Sequence, residues 1–211
     1  YRIKAQILID AGVLSQPRIR MVPIRQFGLA ETVTEWRECY RLGVVESATR
    51  NQAVLRVIRR AAKPCIVFVK EIEHGRRLLD ALVSAGIKAE FVWGSDSTEA
   101  RQAVVRRVRR ADTDVAIASV IWNEGIDIPE IRSVVVAAGG KSAIAALQRL
   151  GRGMRVSKGK NEMELWDFKD SGHRWLSRHT KARLAAYIQE GFEVLEAEMV
   201  QKQLTGTVSL G

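Results

Sequence analysis

Gly139-Gly140-Lys141-Ser142-Ala143-Ile144-Ala145-Ala146-Leu147-Gln148-Arg149-Leu150-Gly151-Arg152-Gly153-Met154-Arg155 decides how the rest of this chain is read. It follows the apolar run Val134-Val135-Val136-Ala137-Ala138, which has the composition of a buried strand, and Ser142 can cap a short helix over 143–150. That helix breaks at Gly151, so Arg152 and Arg155 stand at a glycine-broken helix end where two guanidiniums can converge on one polyanion. Arginines at helical spacing usually form a solvated face. The flanking pattern therefore has to decide.

Outward from that stretch the chain alternates between strand-like and helix-like segments. Pro17 to Ile24 reads as a first strand flanked by prolines. Residues 32–42 and 47–62 have helical patterning, the second with Val54, Leu55, Val57 and Ile58 on its apolar side, and Pro64 follows it. Cys65-Ile66-Val67-Phe68-Val69 is a continuous apolar run of strand length. Glu71 to Gly86 predicts an amphipathic helix with Ile72, Leu78, Leu79, Leu82 and Val83 facing inward. Ala89 to Trp93 is a short strand, and Ser97 caps a helix to Ala111 with Ala100, Val104 and Val108 on one face. Further strands are expected over Asp114 to Ser119, Ser133 to Ala138 and, last, Glu164 to Phe168. Such a rhythm predicts an α/β fold, a doubly wound and mostly parallel sheet with helices on both faces. Ligands of such sheets bind beyond the carboxyl ends of the strands. That rule singles out Lys70, Trp93-Gly94-Ser95, Ser119 to Pro129, Gly139 to Ser142 and Lys169-Asp170.

Composition is that of a folded, charged domain. The chain has 211 residues, 46% hydrophobic and 27% charged, with a net charge of +10 that favours a phosphate-rich partner. Cys39 and Cys65 lack CxxC spacing and read as reduced core thiols; His74, His173 and His179 are scattered, so surface roles and no metal site are expected. No apolar run is long enough to span a bilayer and the start lacks a signal-peptide pattern, so a cytoplasmic protein without a membrane partner is expected. The chain begins with Tyr1 rather than Met, which suggests a piece of a longer protein.

Gln148-Arg149-Leu150-Gly151-Arg152-Gly153-Met154-Arg155 resembles motif VI of superfamily-two helicases, Gln-x-x-Gly-Arg-x-x-Arg. Ala118-Ser119-Val120-Ile121-Trp122-Asn123-Glu124-Gly125-Ile126-Asp127-Ile128-Pro129 is similar to their motif V, with a strand between the two as the family requires. The resemblance runs from about Leu14 to Phe192 and lies nearest the phage UvsW, XPB and RecG-like branch, which works in DNA repair and recombination. It implies a second RecA-like motor domain over 25–195, preceded by an interdomain linker and lead-in to the first strand over 1–24 and followed by a tail over 196–211. On the matching positions, Gln148, Arg152 and Arg155 are implied catalytic residues, the arginines reaching the phosphates of ATP; Gly125 and Asp127 are implied at the nucleotide cleft. Ser119, Gly94, Ser95 and Lys70 are implied nucleic-acid contacts. The resemblance also implies ATP and Mg2+ held mainly by a first RecA-like domain that this chain lacks, and DNA as substrate with RNA left open. This piece alone is expected to be monomeric and inactive.

Duller readings stand beside these. Gly139-Gly140-Lys141-Ser142 is not a phosphate-binding P-loop, because Val135 occupies the position of its first glycine; no Asp-Glu-x-His or Asp-Glu-x-Asp run is present either. Arg50-Asn51 matches a recurrent family position, with a surface reading favoured; Trp93, where the family often has His, is read as packing. The arginines of 99–110 are read as a solvated outer helix, with a nucleic-acid contact as the alternative. Opposed to the motor as a whole is a non-enzymatic nucleic-acid or protein-binding module on a degenerate RecA-like fold. A Rossmann-type enzyme is discounted, since no Gly-x-Gly-x-x-Gly follows the first strand.

Overall fold

The computed structural model describes residues 16–25, 29, 32–119, 128, 130–141 and 162–195. Among them, seven strands form one sheet: β1 (Gln16–Arg25), β2 (Cys65–Val69), β3 (Ala89–Val92), β4 (Val115–Ser119), β5 (Ser133–Val136), β6 (Glu162–Ser171) and β7 (Glu193–Leu195). Their order is β3-β4-β2-β5-β6-β1-β7 and every pairing is parallel. The helices are α1 (Trp36–Tyr40), continued by a π-helical turn over Arg41–Val45, α2 (Ala48–Arg60), α3 (Ile72–Ser84), α4 (Thr98–Arg109) and α5 (Arg174–Gln189).

Side chains alternate between two buried faces, which is why the central strands read as unbroken apolar runs. Ile66, Phe68, Ala116, Ala118, Val134 and Val136 pack on one face with Val104 and Val108 of α4 and Tyr187 of α5. Cys65, Val67, Val69, Val115, Ile117 and Val135 pack on the other with Val54, Val57 and Ile58 of α2 and Leu78 and Leu82 of α3. The expected doubly wound sheet with helices on both faces is what forms. β1 lies inside it between β6 and β7, so the strand expected over Pro17 to Ile24 forms, one residue longer at each end, and is hydrogen-bonded on both sides.

Local signals explain the helix starts. Ser47 and Ser97 accept from the amides of Arg50 and Ala100 and so cap α2 and α4; the cap at Ser97 was expected. The inward stripe of α3 is narrower than the sequence suggests. It buries His74, Gly75, Leu78 and Leu82, while Ile72 and Val83 are 43% and 57% exposed. Gly75 turns that stripe, because the ring of Phe91 lies where a side chain would be: an added Cβ would stand 2.3 Å from Phe91 Cζ. Ala100 likewise stays exposed as α4 seats itself on Val104 and Val108.

The three histidines are buried rather than on the surface. His74 Nε2 donates to Asn51 Oδ1 (2.9 Å) while Asn51 Nδ2 donates to Val45 O (2.9 Å), fastening α3 to α2 and the π-helical turn. Burial, reinforced by Arg50 and Arg77, lowers the His74 pKa to about 3, so the imidazole is neutral. His173 caps α5, its Nδ1 accepting from Trp175 N–H (3.3 Å) and facing Cys39 Sγ at 3.1 Å, while Nε2 donates to Val33 O (3.1 Å). Burial, then Asp170, raises the Cys39 thiol to about 11, so it donates as a neutral S–H, and both cysteines are free and buried as expected. β7 was not foreseen: three residues beginning with Glu193 show no alternation to read.

Candidate functional site at the carboxyl ends of the strands

In a parallel sheet all carboxyl ends lie along one edge, so strand order sets the order of the candidate residues. The turn after β3 carries Gly94 and Ser95, β4 ends at Ser119, β2 is followed by Lys70, and β5 is followed by Ala137 to Lys141. The chain leaves β2 toward β3 on one side and leaves β5 toward β6 on the other, though β2 and β5 are neighbours. Open α/β sheets form their ligand crevice where the connections diverge in this way. Lys70 and the Gly139-Gly140 turn flank that point.

Each described candidate has a defined setting. Trp93 N–H donates to Asp96 Oδ2 (2.9 Å) and Asp96 N–H donates to Trp93 O (3.1 Å), a reciprocal pair that presents Gly94 and Ser95 exposed at the turn. Trp93 itself packs, its ring centroid 5.0 Å from that of Phe91 with the Arg76 guanidinium 5.7 Å away. Ser119 is only 1% exposed, yet its Oγ has no hydrogen-bond partner among the described residues. A buried hydroxyl without a partner is costly, so this oxygen is a group in want of a ligand or of a donor elsewhere. Lys70 is exposed, with Nζ 3.3 Å from Glu71 Oε1 and 4.8 Å from the centroid of the Tyr40 ring.

The exit of β5 is built differently from the other strand ends. Gly139 and Gly140 both adopt positive φ, +56° and +62°. Successive left-handed residues are what glycine supplies without strain, so the pair reverses the chain at the sheet edge. The carbonyls around it are bound by side chains from three helices. Arg50 Nη1 of α2 donates to Ala137 O (2.7 Å), Tyr40 Oη of α1 to Ala138 O (2.6 Å), and Arg183 Nη1 of α5 to Gly140 O (3.3 Å).

Those arginines belong to a buried ionic network beneath the turn. Arg50 Nε pairs with Asp170 Oδ1 at 2.8 Å, and Arg183 Nε with Asp167 Oδ2 at 2.8 Å, all four side chains being at most 2% exposed. Tyr187 Oη also donates to Asp167 Oδ2 (2.7 Å). Burial works against the Arg183 charge, but Asp167 and Asp170 outweigh it and raise its pKa above the ordinary arginine value. Burial, with the Asp167 carboxylate, raises the Tyr187 phenol, which therefore stays a donor. Arg50 is thus an interior residue, not the surface residue its sequence context suggests. Arg183, Asp167, Tyr187 and Tyr40 were not singled out as site residues. A signal for Arg183 exists in hindsight: Leu176, Thr180, Arg183 and Tyr187 share one buried face of α5 at helical spacing.

Gly125, Asp127, Gln148, Arg152 and Arg155 lie outside the described residues. Among the described residues no group of three metal-binding side chains occurs. No helix of the described residues is long and apolar enough to cross a membrane.

Residues 49–157, just over half of the chain, match the family described as Helicase conserved C-terminal domain. The chain belongs to this family. As a helicase C-terminal domain, it has relatives in several lineages. It is 32% identical over 119 residues to Putative helicase 22 of Sulfolobus islandicus filamentous virus, across 56% of this chain and 21% of that protein. It is 30% identical over 119 residues to ATP-dependent DNA helicase uvsW of Enterobacteria phage T4, across 56% of this chain and 24% of the phage protein. The crystal structure of T4 UvsW superposes with a TM-score of 0.69 at 23% identity, covering 86% of this chain and 41% of that one, which shows the same RecA-like fold. The match therefore spans about a quarter or less of the length of these curated relatives.

Proposed function

We propose that this chain is the second motor domain of an ATP-dependent superfamily-two helicase or translocase acting on DNA. The observation that carries the reading is the family match over 49–157, a span that contains both Ser119 to Pro129 and Gln148 to Arg155. Within that reading, Arg152 and Arg155 reach ATP held by a first RecA-like domain elsewhere in the protein, with Gln148 beside them. Phosphoryl transfer concentrates negative charge on the moving group, and planar, permanently charged guanidiniums are suited to stabilise it. Gly125 and Asp127 belong to the same cleft. ATP brings with it the phosphoanhydride bond whose hydrolysis drives the cycle, and Mg2+ is assigned, with the ATP, mainly to the first domain.

Ser119, Gly94, Ser95 and Lys70 form the nucleic-acid side of the proposal. They fall along one edge of the sheet in the order set by β3, β4 and β2, a row suited to backbone phosphates rather than to base edges. The Ser119 hydroxyl, without a partner among the described residues, and the exposed Gly94-Ser95 turn supply neutral donors, and Lys70 supplies charge. DNA is preferred over RNA because T4 uvsW and the archaeal relatives called Rad25 are named as DNA helicases, although a relative from Yarrowia lipolytica is named as a pre-mRNA-splicing RNA helicase.

The test uses a protein carrying both motor domains. Arg152→Ala or Arg155→Ala should cut DNA-stimulated ATP turnover by roughly 10³-fold with little loss of DNA affinity. Unchanged turnover in both variants would remove the assignment.

A further inference from the structure

The polar clamp on the exit of β5 has a geometry that its structural role alone does not require. The carbonyls of Ala137, Ala138 and Gly140 are each bound by a side chain from a different helix, and all three donors are buried or nearly so. A strand end can satisfy its carbonyls with water at far lower cost than with two buried guanidiniums, whose desolvation needs two buried carboxylates to offset it. What the arrangement secures is direction: the path by which the chain leaves Gly140 is set by three side chains at once. Gly139 sits against the clamp as well, since a Cβ there would stand 3.5 Å from Arg50 Nη2, a donor with no hydrogen-bond partner among the described residues.

Tyr40 links this clamp to the nucleic-acid edge. Its hydroxyl holds Ala138 O at 2.6 Å, while its ring lies beneath Lys70 Nζ at 4.8 Å. One rigid side chain therefore touches both neighbours of the crevice between β2 and β5. An ammonium over an aromatic face is attracted by the ring quadrupole, and that attraction competes directly with an approaching phosphate. When a phosphate draws Lys70 away, the ring loses its cation, and the hydroxyl at its other end holds the first carbonyl before the Gly139-Gly140 reversal.

We infer that Tyr40 is a positioning residue that couples nucleic-acid contact at Lys70 to the Gly139-Gly140 turn, with Arg50 and Arg183 fixing the rest of that turn. The inference rests on the proposed function above, in which the residues following Lys141 include those that reach ATP. It assigns to Tyr40 the stimulation of ATP turnover by nucleic acid, not the turnover itself.

The test is Tyr40→Phe in the protein with both motor domains, which removes the hydroxyl and keeps the ring under Lys70. The ratio of oligothymidylate-stimulated to basal turnover should fall about tenfold, the effect of one buried hydrogen bond lost, with KM for ATP and oligothymidylate Kd each changed less than about twofold. A merely structural Tyr40 would lower the melting temperature and leave the ratio intact; that result overturns the coupling. Arg152→Ala in parallel separates the two claims. If it leaves turnover unchanged, the underlying reading fails; if it abolishes turnover while Tyr40→Phe keeps the ratio, only the coupling fails. Should Tyr40→Phe not fold, amide exchange in the unsubstituted protein decides. Saturating oligothymidylate should slow exchange at Gly139, Gly140 and Lys141, and unaltered exchange there overturns the inference.

Discussion

Replacing Arg183 with Met removes a charge from the interior while nearly preserving length and shape. The guanidinium now bonds Asp167 Oδ2 (2.8 Å), Phe168 O (2.7 Å) and Gly140 O (3.3 Å), and lies 3.5 Å from Asp170 Oδ2. After Arg183→Met, Asp170 keeps Arg50 at 2.8 Å. Among the described residues Asp167 keeps only neutral donors, Tyr187 Oη at 2.7 Å and Phe168 N–H at 2.6 Å, for a carboxylate that is 0% exposed. Removing one partner of a buried pair costs about 3–5 kcal/mol, because the other charge is left uncompensated. That is a large share of the roughly 5–15 kcal/mol by which domains are stable. In urea unfolding of the 211-residue chain, with a slope of about 2 kcal/mol per M, the midpoint should drop by about 1.5–2.5 M at unchanged slope. Adding Asp167→Asn should recover at least about 1 kcal/mol, since the uncompensated charge goes with it. A loss below about 1 kcal/mol for Arg183→Met, or a double variant less stable than the single one, would refute the picture of a charge-matched core.

Two further outcomes follow from single contacts. Gly75→Ala should destabilise by about 1–3 kcal/mol although alanine favours helix, because the new Cβ would meet Phe91 Cζ, Cε2 and Cε1 at 2.3, 2.6 and 2.7 Å; a thermal melt at or above the parent's would contradict it. His74 is neutral when folded, with its pKa lowered to about 3 from 6.5. Between those values the unfolded chain binds one more proton, so stability from this group is complete above pH 6.5 and falls by about 1.4 kcal/mol per unit as pH drops toward 3. His74→Gln should flatten the pH dependence by that amount, and an unchanged slope between pH 4 and 6, read from chemical unfolding at about half-unit steps, would exclude it.

How far the sequence could be read follows from the range of each interaction. Strands β2, β4 and β5 were legible because a strand buried on both faces must be apolar at every position, and Cys65 to Val69, Val115 to Ser119 and Val134 to Val136 are nearly so. The caps at Ser47 and Ser97 were open to the same local reading, since donor and acceptor are three residues apart. β7 was not, because three residues held by β1 through backbone bonds need no side-chain pattern. The polar core is the sharper case. Arg50 shares the spacing of Ala53, Val54, Val57 and Ile58 on the buried face of α2, so its burial was implied by helical periodicity alone. A lone arginine on an apolar face is nonetheless read as surface, because burying its charge is prohibitive without a partner. That partner, Asp170, is 120 residues away in sequence, in a strand separated from α2 by most of the sheet's connections. Periodicity reports which face a side chain occupies, and only the fold reports what it meets there. The same reasoning bears on function: the segments that name the family are local in sequence, whereas the clamp that orients the turn between them is assembled from α1, α2 and α5 and exists only once the sheet has closed over it.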